Sequence, residues 1–74
     1  MIYNRIALLR AERALSRQQL AEKVGVNYQT IGFIERGDYS PSLELAFKLA
    51  EVLEVSVTTL FSDKPFEPLF KKEQ

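Results

Sequence analysis

The 74-residue chain contains no cysteine and no histidine. Without cysteine there is no disulfide scaffold, and without either residue there are no thiolate or imidazole metal ligands. The mechanisms that depend most on a histidine base or a cysteine nucleophile are absent too. The three glycines form no phosphate-loop pattern, and the carboxylates are scattered along predicted helix surfaces. An enzyme is therefore not expected, nor is a metal or cofactor. No apolar run approaches the ~20 residues that cross a bilayer. The opening MIYNRIALLRAERAL is interrupted by Arg5, Arg10, Glu12 and Arg13, which excludes a signal peptide and makes the cytoplasm the expected compartment.

Apolar residues make up 46% of the chain and charged residues 27%, as in an ordinary globular domain. The size predicts one domain over residues 1–74, with a core over 4–61 and a tail over 62–74, near the lower limit for a core without staples. The formal net charge is zero, which argues mildly against a nucleic-acid partner. The charge is unevenly spread, however. Residues 1–36 hold six basic and three acidic side chains, and the remainder holds four basic and seven acidic. Such a split suits one basic working face; two plainly solvated faces are the simpler alternative.

Hydrophobic periodicity and caps predict five helices. The first covers roughly 4–13, with Ile6 and Leu9 one turn apart and Asn4 as its cap. Ser16-Arg17-Gln18-Gln19 has capping-box spacing and opens a second helix over about 17–24, closed by Gly25. Asn27 caps a third over about 28–36, closed by Gly37. Ser42 caps a strongly amphipathic fourth, SLELAFKLAEVL, and Ser56 a short fifth ending near Phe61.

Residues 17–36 are the informative part. Two helices of about eight residues joined by three or four must cross steeply. Ala21 is small where they approach, Gly25 turns the chain at positive φ, and Ile31 and Ile34 fill the wedge. This is helix-turn-helix logic, with a generic αα-corner as the alternative. Unrolling the third helix at about 100° per residue places Tyr28, Gly32, Arg36, Gln29 and Phe33 within roughly 140° of arc. That outward arc carries no acid. Gly32 costs such a helix about 1 kcal/mol relative to alanine, so close approach of a partner, or packing by Tyr28 or Phe33, is expected to require it.

With LSRQQLAEKVGV, QTIGFIERGDYSPSLELAFKLA and VSVTTLF in place, the chain resembles the Xre/Cro-type, λ-repressor-like regulators over roughly residues 4–61. The resemblance implies an all-α, compact five-helix fold, a recognition helix in the major groove of double-stranded DNA, and a homodimer on a palindromic operator. It places Tyr28, Gln29 and Phe33 at base-facing positions and Arg17 and Gln18 at phosphates. Arg36 and Tyr39 fall where the family meets the DNA backbone, and Thr30, on the flank of the recognition helix, joins that phosphate-contacting set. Arg10 and Glu35 match a structural ion pair between the first and third helices. The chain departs from the family in its apolar recognition helix, with Tyr28, Gly32 and Phe33.

The residues themselves support several of these roles. Gln29 suits a bidentate contact to adenine N6 and N7, and Tyr28 and Phe33 suit thymine methyls. Phe33 packed against its own chain or a dimer partner is the alternative. Arg17 stands at a helix N-terminus, which favours a phosphate. A dimer interface is expected from Leu60, Phe61, Phe66, Leu69 and Phe70, with the termini pairing as a short β-ribbon; intramolecular cover for the core is the alternative. The competing function is a protein-interaction module of the same fold, an antitoxin or anti-repressor. No small-molecule ligand or membrane partner is evident.

Overall fold

The computed structural model describes residues 1–67. In chain order these form β1 (Tyr3–Asn4), α1 (Ile6–Glu12), α2 (Arg17–Val24), α3 (Tyr28–Glu35), α4 (Leu43–Leu53), α5 (Val57–Leu60) and β2 (Phe61–Ser62). The five predicted helices are all present, and among the described residues none is long and apolar enough to cross a membrane.

Four helices start on the cap the sequence supplies. The Ser16 hydroxyl accepts from the Gln19 N–H at 3.0 Å while Gln19 Oε1 accepts from the Ser16 N–H at 2.8 Å, a complete capping box. Asn27, Ser42 and Ser56 accept from Thr30, Leu45 and Thr59 in the same way. Each such cap contributes about 1 kcal/mol by satisfying a donor the helix cannot use. Gly25 closes α2 at φ +84°, with its N–H and that of Val26 both donating to the Ala21 carbonyl.

α1 differs from expectation. It begins at Ile6 instead of residue 4, and its cap position is Arg5, which makes no side-chain capping bond. The cause is the ribbon: Tyr3 pairs with Ser62 and Asn4 with Phe61 in antiparallel register, which holds the chain extended there. Asn4 still accepts from the Ile6 N–H, one position early, and its amide donates to the Ile34 carbonyl at 2.9 Å. It therefore ties ribbon, α1 and α3 together. Two helix ends also lie outside the glycine rule. Ala14 follows α1 at φ +54° and Glu54 closes α4 at φ +60°, conformations that cost a non-glycine residue about 1 kcal/mol each.

One core joins all five helices. Ile6 and Leu9 meet Leu20, Ala21 and Val24, then Ile31 and Ile34, then Leu49, Ala50 and Leu53, and finally Leu60. Leu60, expected at a dimer interface, is 0% exposed. α5 is a single turn that points Leu60 into the core, so Leu60 is its inward anchor and unavailable to a partner. Phe61 is half-buried and packs against the same core. Phe66 is half-buried too, with the Arg5 guanidinium 4.0 Å above its ring, so it covers its own chain. Leu69 and Phe70 lie outside the described residues. The ribbon itself forms within one chain, from its two ends.

Candidate nucleic-acid interface

The helix-turn-helix geometry rests on the wedge residues. Ala21 and Ile34 are each 2% exposed and Ile31 is fully buried, so α3 is pressed onto α2 along its inner side. Its outer side is left open. Tyr28 is 55% and Phe33 47% exposed, and Gln29 is exposed between them. With Arg17, Gly32 and Arg36 they line a shallow depression of about 250 Å³. The structure thus brings together the three expected base-facing residues and two of the five expected phosphate-contacting ones.

Electrostatics fix the rim of that depression. The Glu35 side chain is only 4% exposed and takes three donors. Arg10 gives Nε at 2.8 Å and Nη2 at 3.4 Å, and Arg17 gives Nε at 2.9 Å. Arg10 also donates from Nη1 to the Leu15 carbonyl, pinning the α1–α2 connection. The expected Arg10–Glu35 ion pair is therefore present. Arg17 as a second partner of Glu35 is a contact the sequence reading missed. Those residues are 18 apart in the chain, and only the packing of α2 across α3 makes them neighbours. Two guanidinia against one carboxylate leave this cluster with an excess positive charge beside α3.

The other expected contacts are placed less uniformly. Gln18 is exposed next to Arg17 on the first turn of α2, and Tyr39 is half exposed in the α3–α4 connection. Thr30 is half-buried, and its hydroxyl donates to Asn27 Oδ1 at 3.2 Å within the cap. That donor is already occupied, so a phosphate contact from Thr30 would cost a cap bond. Arg36 pairs with Asp38 at 3.3 Å, and its guanidinium lies 5.2 Å from the centre of the Phe33 ring. Gly32, expected on the open arc, is buried. A Cβ there would meet Arg36 Nη1 at 3.3 Å, so the arginine itself covers it.

With this geometry established, the relatives are informative. The helix-turn-helix family model HTH_3 matches residues 6–60. An HTH-type transcriptional regulator of Archaeoglobus fulgidus is 46% identical over 57 residues, covering 77% of this chain and 81% of that protein. The immunity repressor protein of Bacillus phage phi105 is 37% identical over 70 residues, covering 95% of this chain and 46% of its own length. Among solved structures, the master regulator for biofilm formation SinR in complex with DNA is similar at a TM-score of 0.69 and 41% identity. That match covers 74% of this chain and 89% of the other. The chain belongs to the Xre/Cro-type helix-turn-helix family of transcriptional regulators.

Proposed function

We propose that this protein is a sequence-specific double-stranded DNA-binding regulator that represses by occupying a palindromic operator, with α3 in the major groove. One observation carries the reading: the outward side of α3 is uncovered, free of acids, and flanked by two guanidinia. An eight-residue helix is about 12 Å long, close to the width of the major groove. Gln29 reads adenine, and Tyr28 and Phe33 press on thymine methyls. Arg17 keeps its charge for a phosphate because Arg10 already neutralises Glu35. Gln18 and Tyr39 add backbone contacts.

A helix this short covers only a few base pairs, so a useful site needs two copies about one helical turn apart. Leu60 and Phe66 are spent on the chain's own packing, and the second copy docks on a groove beside α4 that keeps Phe61 of the expected set. Leu43 and Phe47 are 72% and 59% exposed on α4. Beside them runs a groove of about 310 Å³ lined by Ile2, Ser40, Pro41, Leu43, Ala46, Val57 and Phe61, without a charged side chain. An uncharged groove flanked by exposed apolar side chains suits a two-fold contact between copies.

The test is selection of bound duplexes from a random pool, followed by affinity measured across salt concentrations. The expected result is a palindrome whose binding weakens steeply as salt rises. Absence of DNA binding at low salt would instead assign the exposed aromatics to a protein partner.

A further inference from the structure

The general reading of the fold sends Arg36 to the DNA backbone. We infer instead that Gly32, Phe33 and Arg36 form one recognition unit in which Arg36 reads a guanine edge. This inference rests on α3 entering the major groove.

The placement of the side chain is the first argument. Arg36 caps α3 at its C-terminal end, yet its guanidinium folds back along the helix, over Gly32 and toward the ring of Phe33. Gly32 leaves it room to lie close: an added Cβ would stand 3.3 Å from Nη1, and the guanidinium would have to give by a few tenths of an ångström. A glycine inside an eight-residue helix is otherwise unfavourable by about 1 kcal/mol. The guanidinium thereby joins Tyr28, Gln29 and Phe33 around the depression on the base-facing side.

The second argument is the neighbouring charge. Arg36 Nε faces Asp38 Oδ2 at 3.3 Å. A carboxylate so close to the guanidinium repels an incoming phosphate, whereas the major-groove edge of guanine carries no net charge. With Nε on Asp38 and Cζ 5.2 Å from the centre of the Phe33 ring, Nη1 and Nη2 remain as the donors for guanine O6 and N7, the commonest arginine contact in the major groove. Arg17 has the opposite arrangement, since its carboxylate partner is already neutralised by Arg10. The two arginines on the rim of one depression thus divide the work, Arg17 to phosphate and Arg36 to base.

The experiment compares wild type with Arg36→Lys and Gly32→Ala by selection from a random duplex pool and by salt titration on the selected site. The wild type is expected to select an invariant G·C pair in each half-site. Arg36→Lys keeps the charge and loses the fork, so preference at that pair falls about tenfold or more, with the salt slope unchanged. Gly32→Ala keeps the arginine but displaces it, and lowers preference at the same pair while thermal melting shows the domain no less stable than wild type. Unchanged preference at that pair in Arg36→Lys, with or without a uniform loss of affinity over all sequences, would make Arg36 a phosphate contact and overturn the inference. So would a selected site without an invariant G·C pair, although DNA binding would then stand. Failure of the wild type to bind any duplex would remove the parent reading instead.

Discussion

Large apolar side chains reach water at several places, and on α3 and α4 their surroundings differ. On α3, Tyr28 and Phe33 stand among Arg17, Gln29 and Arg36. On α4, Leu43 and Phe47 stand beside a groove with no charged lining. An exposed apolar group says little by itself, and the company it keeps identifies the partner. Methyl-bearing bases within an anionic backbone suit the first surface, and another uncharged protein face suits the second. The sequence places the first surface in its basic stretch, before residue 37.

The comparison can be broken most severely at its shared support. Ile31 is fully buried and braces α3 against the rest of the core. Ile31→Ala is expected to lose about 3–4 kcal/mol in denaturant unfolding. A loss below about 1 kcal/mol would mean that the recognition side is not held by the core at all.

Glu35→Ala comes next. It leaves Arg10 and Arg17 facing each other without their carboxylate. Destabilisation of about 2 kcal/mol is expected, somewhat below the effect of breaking a fully buried pair because Arg17 is half exposed. Calorimetry should show a fall of roughly 8–16 °C in melting temperature. An unchanged melting temperature would show that the cluster organises the interface without stabilising the fold.

A smaller effect sharpens the contrast between the surfaces. Leu43→Ser with Phe47→Ser should weaken self-association about tenfold or more in sedimentation, since each exposed side chain contributes about 1 kcal/mol or more when covered. Monomer stability should change by no more than about 0.5 kcal/mol. Equal association of the variant and the wild type would place the dimer elsewhere.

The smallest expected change is at the other surface. Arg17→Ala should lower affinity by less than about tenfold on every duplex alike and flatten the salt slope by about one unit. A change confined to one sequence would make Arg17 a base contact.

Much of this architecture was legible before any coordinates. Ser16, Asn27, Ser42 and Ser56 announce helix starts because each offers a side-chain acceptor where the backbone needs one. Gly25 announces the turn because its φ of +84° excludes most other residues. Long-range facts were harder to see. The residue types do not mark Ala14 and Glu54 as left-handed, although the Leu15 N–H to Arg10 carbonyl and the Val55 N–H to Ala50 carbonyl bonds close the helix ends around them. Leu60 reads as an interface residue because its neighbours Phe61 and Phe66 are aromatic, and only three-dimensional packing shows that α5 points it inward. The expected arc on α3 correctly gathered Tyr28, Gln29, Phe33 and Arg36. A helical wheel, however, has no depth, so it could not show Gly32 roofed by Arg36.

The short ribbon has a kinetic consequence. It joins Tyr3–Asn4 to Phe61–Ser62, and the Arg5 N–H donates to the Leu60 carbonyl at 2.9 Å. The α2–α3 corner closes through neighbours in the chain, whereas this clasp needs the two ends of the domain to find each other. Ring closure over so long a contour is slow to accrue and easily undone relative to a local turn. Folding should accordingly zip the corner first and fasten the clasp last. Amide exchange at Arg5 should outpace exchange at Gly25, as a latch opens before the box it secures comes apart.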